Sequence, residues 1–461
     1  MGYRSRSGHS RSVPDAIEAY NHWLSASDKC AKYDKMRQSP FRFYRGTNHI
    51  FWDDLADDER LQTFSHSQTA IWIQGDLHTE NYGVYHNDDG DVVYSLNDFD
   101  EAVVADYQFD LWRMAISIVL VARQSKIGRP GQQTRLSDDD SSSLVDTFVE
   151  SYLDTLASYR GNRDEEKVVF TSKSLPKVLD KLVDKMEDRN THQTLLDDWT
   201  LNEAPSHELA PANSTRSFNI TEHREKLQPV QPDTWKAIAK QFSTYGQTLT
   251  GKLNYDDDAF QILDIAKRIN AGTGSLGAPR YYILIAGNPK KSGQERILDL
   301  KSQAKPITYD YMAEGDRHRY DQCFKDNHAL RHATAYRALT NNTDDYLGWM
   351  ELELPGHRNR YFSVRELSPY KKAFNTSKFT KVKDFETVAK TWGTILATAH
   401  ARSDKDFDDR FVSYSFDKQI DQITDGHHKE FRQLVRAIAF EYADQVHTDW
   451  EQFINSSLVK S

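Results

Sequence analysis

The chain has 461 residues, a formal net charge of -10 and 38% hydrophobic residues. Its mean hydropathy of -0.75 and its longest apolar run, residues 115–122, argue against a membrane-spanning segment, which needs about 20 apolar residues. The acidic balance gives no global help in binding nucleic acid or an anionic membrane, so neither is expected as a partner. The two cysteines, Cys30 and Cys323, form no CxxC pair, which points to a reducing compartment and a cytoplasmic location.

In chain order, residues 1–13 read as a disordered basic tail, and residues 14–37 as a helix carrying Ile17, Tyr20, Trp23 and Leu24 at helical spacing. A short strand at 71–73 precedes a hairpin over 82–96, turned at Asn87-Asp88-Asp89-Gly90. Residues 110–123 read as a buried helix. A polar linker over 128–143 contains Asp138-Asp139-Asp140, which suits a solvated loop or a helix start. Helices are expected over 144–159, 175–186, 192–201 and 234–249. Beyond Gly251 come strand-like runs at 281–286, 296–300, 346–352 and 361–367, with a helix at 327–339 between them, and residues 384–458 are helical again.

The densest chemical signal is Gln74-Gly75-Asp76-Leu77-His78-Thr79-Glu80-Asn81. Asp76 and Asn81 have the D-x-x-x-x-N spacing of phosphoryl-transfer loops, in which a carboxylate orients the acceptor hydroxyl and an amide oxygen holds a metal. The hairpin then runs into Asn97-Asp98-Phe99-Asp100-Glu101, whose carboxylates suit Mg²⁺. A second signal is the GxGxxG of Gly272, Gly274 and Gly277. A strand follows it instead of the helix a dinucleotide fold requires, and the next strand ends in Lys301, as in a kinase phosphate site. No strand is evident ahead of the glycines. Arg42 and Arg45 suit a phosphate or carboxylate, or equally a structural salt bridge. His328 and His332 share a helix face, but Ala329 stands where a zinc HExxH motif needs Glu.

Residues 73–111 resemble the catalytic segment of aminoglycoside and choline phosphotransferases, matching at Gly75, Asp76, His78, Asn81, Asp98, Asp110 and Leu111 and departing at Gln74, where those enzymes usually have His. Residues 39–405 resemble more narrowly the bacterial family labelled domain of unknown function 2252, through Ser39–Gly46, the two acidic motifs, the glycine motif, Leu300-Lys301, Val364-Arg365-Glu366-Leu367 and Ala399-His400-Ala401-Arg402-Ser403. The resemblance implies an α+β, two-lobed, protein-kinase-like fold that is circularly permuted, because the catalytic loop precedes the glycine loop and lysine. Residues 14–254 and 371–461 would form a large helical lobe, and 255–370 a small antiparallel-sheet nucleotide lobe.

It also implies an enzyme, an ATP- and Mg²⁺-dependent phosphotransferase acting on a small-molecule hydroxyl. Asp76 would be the catalytic carboxylate and Lys301 the phosphate contact. Asn81 and Asp98 would hold Mg²⁺, Gly272, Gly274, Ser275 and Gly277 would line the phosphate loop, and backbone near Glu366 and Leu367 would meet the adenine. Arg42, Arg45, His78 and Asp100 are substrate-side candidates. The helix after Lys301 contains no acid to pair with it, so Gln303 or Asp98 is the expected partner. A nucleotide-binding pseudokinase and an AMP-transferring enzyme are the alternatives in the same cleft. A dimetal phosphatase ranks last, because its further His and Asp blocks are missing.

Overall fold

The computed structural model describes residues 12–128, 133–212, 214–251, 253–272, 276–287, 294–354 and 360–460. The fold is mixed α+β, with small antiparallel sheets on a larger helical body. Among the described residues no helix is long and apolar enough to cross a membrane.

The helical body forms around Gln108–Gln124, whose side chains are buried on nearly every face. Asp138–Tyr159 and His428–Asn455 pack on it, and Val382–Arg402 packs on Asp138–Tyr159. Gly393 allows that last crossing: a Cβ there would lie 2.3 Å from both the Phe148 carbonyl and Ser151 Oγ. The acidic run at 138–140 opens a helix. Ser137 caps it, Asp140 closes the capping box, and the carboxylates sit at the positive end of the helix dipole. The hairpin Tyr82–His86/Val92–Leu96 also belongs to this body, with Lys372–Ala373 as its third strand.

The second body is a six-stranded antiparallel sheet, ordered Gly348–Glu351, Tyr361–Glu366, Arg296–Ser302, Arg280–Ile285, Ile262–Arg268 and Leu227–Pro229. Strand alternation divides its two faces. Tyr281, Ile283, Leu298, Leu300 and Val364 pack against Trp235, Ile238, Phe242 and Tyr245 of the helix Pro232–Gly246. The opposite face carries Ala266, Tyr282, Leu284 and Ile297 beneath Leu196 of the helix His192–Trp199. Because Leu298 and Leu300 point into the core, Asp299 and Lys301 are directed to the other side, towards the helical body.

Three expectations are corrected. The helix expected over 14–37 is two, Val13–Tyr20 and Ala26–Met36, and Ser25 caps the second by accepting from the Asp28 N–H at 3.1 Å. Ile262–Arg268 is the strand that precedes the glycines, pairing antiparallel with Arg280–Ile285. The packing also departs from a boundary at residue 255, because Leu227–Pro229 pairs with Ile262–Arg268 and the helix Pro232–Gly246 shares the apolar cluster of the sheet. The tail over residues 1–11 lies outside the described residues.

Candidate functional site

A cavity of about 410 Å³ opens between the two bodies. Asp76, His78, Asp98, Asp100 and Glu101 line it from the helical body, and Gly272 and residues 301–305 from the sheet. Tyr20, Trp23 and Arg45 form the remaining wall, from the first helices of the chain.

The loop bearing Asp76 is fixed from below. Asp110, fully buried, accepts the N–H groups of Gln74 at 2.7 Å and Gly75 at 3.0 Å. His400 Nε2 lies 3.3 Å from the same carboxylate, and Tyr152 holds the other His400 ring nitrogen at 2.8 Å. The end of the helix Val382–Arg402 therefore braces a loop more than 300 residues earlier. Gly75 has φ +79°, and a Cβ there would meet the Glu101 carbonyl at 2.3 Å, so only glycine lets the two acidic loops approach this closely. Gln74 stitches them together: its Oε1 accepts the Asp76 N–H at 3.0 Å and its Nε2 donates to the Asp98 carbonyl.

Asp76 Oδ1 is ion-paired to Arg113, a fully buried arginine whose guanidinium lies 4.5 Å from the Tyr44 ring centroid and 4.6 Å from that of Phe51. Desolvation pushes the Asp76 carboxyl up to about 6 against the pull of Arg113, with Asp98 adding to the rise. Asn81 donates from Nδ2 to the Asp76 carbonyl at 3.0 Å, which orients its amide.

Asp98 and Asp100 flank the buried Phe99, so both reach the cavity. Lys301 is ion-paired with Asp100, and Gln303 Nε2 donates to the other carboxylate oxygen at 3.3 Å. Desolvation disfavours charge on Asp100, yet Lys301 outweighs it and holds the carboxyl well below the carboxylate range. His332 Nε2 is 3.7 Å from Asp100; burial pushes the ring down to about 3, so it stands there neutral. Glu101 accepts the Ile307 N–H at 2.7 Å, and desolvation lifts its carboxyl to about 7.

Arg331, fully buried on the helix His328–Leu339, bonds the carbonyls of Phe99 and Ala102 at 2.9 Å and of Asp100 at 2.7 Å. The helix His328–Leu339 thus carries a cation that shapes the acidic loop, and the loop supplies the lysine's partner.

The cavity brings together Asp76, Asp98, Asp100, Lys301, Gly272, Arg45 and His78. Arg45 bonds His78 Nε2 at 3.1 Å and pairs with Glu80. Desolvation, then Arg45 and Arg113, keep His78 well below its ordinary range. Asn81 and Arg42 are not among the lining residues. Gly277 meets the first helices instead, a Cβ there lying 2.6 Å from Leu24. Gly274 and Ser275 lie outside the described residues. Lys301's partner is Asp100, with Gln303 beside it, and not the expected Asp98.

Glu366 and Leu367 do not line this cavity. Strand register sets them opposite the far end of the lysine strand, with Glu366 beside Leu298. The Leu367 N–H bonds the Ile297 carbonyl at 2.8 Å and the Glu366 N–H bonds Asp344 at 2.5 Å, so neither N–H is free for a base. The Glu366 side chain turns to His86, His192 and Arg296. Leu367 does border a separate hollow of about 540 Å³ with Trp199, Tyr282 and Arg280, and Gly272 lies on the wall of both this hollow and the cavity.

The sequence reading missed Arg113, Arg331, Tyr20 and Trp23 as parts of the site. A signal existed for Arg113, which leads into an apolar stretch of helix where a charge survives only if it is paired.

Residues 28–456 match the model of a family described as uncharacterized protein conserved in bacteria (DUF2252), and the chain belongs to that family. No curated protein and no solved structure matches.

Proposed function

We propose that the cavity is the active site of an ATP- and Mg²⁺-dependent phosphotransferase, built on a permuted kinase-like fold and acting on a small-molecule hydroxyl. The observation that carries this reading is the meeting of Asp76, Asp98 and Asp100 with Lys301 and Gly272 around one cavity, although some 200 residues separate the two sets in the chain. The order strand, glycine turn, strand, lysine strand agrees with a kinase nucleotide site.

In this reading Lys301 neutralises phosphate charge and Gly272 offers backbone close to it. Asp76, with Oδ1 held by Arg113, presents Oδ2 to the acceptor hydroxyl and takes its proton. Asp98 and the Oδ1 of Asn81 are hard oxygen donors of the kind Mg²⁺ requires, and the ion would neutralise charge building on the transferred group. The base would lie in the adjoining hollow beside Leu367 and Tyr282.

Nucleotide binding without turnover is the second reading. It draws on one observation: the helix His328–Leu339 has no acid for Lys301, whose partner comes from the loop. One experiment separates the outcomes. Thermal shift with Mg²⁺·ATP should show stabilisation of the wild type that is lost in Asp98→Ala. Mass spectrometry of products formed with candidate alcohols then distinguishes phosphoryl gain, AMP gain and no transfer. Absence of any Mg²⁺·ATP stabilisation in the wild type overturns both readings.

A further inference from the structure

Away from the cavity, three side chains from distant parts of the chain converge on one point. His86 ends Tyr82–His86, the first strand of the hairpin; His192 opens the helix His192–Trp199; and Glu366 ends the strand Tyr361–Glu366. One ligand atom from each lies within 4.8 Å of the other two. His86 Nε2 is 3.1 Å from Glu366 Oε2, and His192 Nδ1 is 3.1 Å from Glu366 Oε1.

Two physical arrangements give such distances. One is a carboxylate hydrogen-bonded by two histidines. The other is a set of ligands around an ion: at metal–ligand bonds of about 2.0–2.1 Å, neighbouring donors of a tetrahedron are about 3.3 Å apart. Glu366 Oε1 distinguishes them. It is buried, with His192 Nδ1 and Arg296 Nε 3.1 and 3.0 Å away, and neither contact has the alignment of a good hydrogen bond. Arg296 instead directs Nη1 to the carbonyls of Gln294 and Glu295 at 2.9 and 3.0 Å.

Two further features suit an ion. The second ring nitrogen of His86 lies 3.0 Å from Ser368 Oγ, the outer contact that orients a metal-binding imidazole. The second is a nearby carboxylate: Asp344 stands with His86, Glu366 and Ser368 around a hollow of about 20 Å³, which Arg365 and Lys371 also line and His192 does not. The His192 side chain is 30% exposed, which leaves water access to a fourth position.

We propose that His86, His192 and Glu366 bind one divalent transition-metal ion of the zinc class, completed by water. Two imidazoles and one carboxylate suit zinc or cobalt over magnesium or calcium, which prefer all-oxygen sites. The ion would clasp the hairpin, the helix His192–Trp199 and the strand end where the chain returns from the sheet to the helical body. It is separate from the nucleotide cavity and does not depend on the reading of that cavity.

The test uses the full chain, stripped with a chelator and titrated with Co²⁺ and with Zn²⁺. The expected result is one equivalent per chain, Co²⁺ d–d absorption typical of a nitrogen–oxygen site, and a melting temperature raised by Zn²⁺. His192→Gln, at the partly exposed position, should weaken binding by about a hundredfold while keeping the far-UV circular dichroism of the wild type, and Ser368→Ala by about tenfold. Glu366→Gln should also weaken it. Asp98→Asn in the cavity, and His428→Ala in the other His–carboxylate grouping (Glu150, Asp154, His428), should leave the equivalent in place. The proposal is overturned if the wild type takes up no Co²⁺, if folded His192→Gln binds as tightly as the wild type, or if His428→Ala removes the equivalent.

Discussion

Lys301 and Asp100, 201 residues apart in the chain, are ion-paired in the wall of the cavity. The pair joins the sheet to the acidic loop of the helical body, and Gln303 and Arg331 hold the same Asp100 from its other carboxylate oxygen and from its backbone carbonyl. It is a tie between the two bodies as well as a candidate chemical element.

Removing one partner leaves a desolvated charge behind. Lys301→Met and Asp100→Asn are each expected to destabilise the protein, whereas the double variant should cost less than their sum, with a coupling of about 1–3 kcal/mol in a urea double-mutant cycle. Additive costs would show that the pair contributes nothing across the cavity.

Asp76→Asn keeps the shape of the loop and removes the proton acceptor. Turnover should fall by about 10²–10⁴ while Mg²⁺·ATP still raises the melting temperature. Equal loss of binding and turnover would make Asp76 a structural residue. The paired measurements are a coupled ADP-release assay and thermal shift.

Arg331 makes three short bonds to carbonyls of the acidic loop from a fully buried position. A lysine cannot reproduce this fork of donors. Arg331→Lys should cost about 3 kcal/mol or more in chemical denaturation, as buried carbonyls lose their partners.

Asp54 supplies a pH test remote from the cavity. Burial pushes its carboxyl from an ordinary 3.8 up to about 7, against the hydrogen bond donated by Tyr442 at 2.9 Å. The folded state therefore holds this proton more tightly than the unfolded chain, and its share of stability falls as pH rises from about 4 to about 7. Asp54→Asn removes that dependence. Its stability relative to wild type should be higher at pH 8 than at pH 4, measured by urea denaturation at both.

Much of the acidic side of the cavity was legible in sequence, because Asp76, Asp98 and Asp100 lie within 25 consecutive residues and local spacing places them. Lys301 was legible because period-2 alternation in Leu298-Asp299-Leu300-Lys301 fixes which face the lysine takes. The strand Ile262–Arg268 was not. Its buried Asp264 interrupts the apolar pattern, and that carboxylate is tolerated because the backbone N–H groups of Phe218 and Ile265 each donate to it at 2.8 Å. The helix Glu314–Phe324 was hidden by its polarity, with only Tyr320 and Phe324 buried. The partners of the Glu366 side chain were not legible, because motif order says nothing of register, which carries it to His86 and His192. Tyr20 and Trp23 join the site only through tertiary packing.

The interleaving of the helical body has a consequence for biosynthesis. The helix Val382–Arg402 packs on Asp138–Tyr159, and His428–Asn455 packs on Gln108–Gln124. As the chain leaves the ribosome, the sheet strands between residues 227 and 366 are complete before either late helix has been made. The early helices must wait with their apolar faces uncovered until residues 382–455 have been made, so chaperone demand should fall on the nascent polypeptide ahead of them.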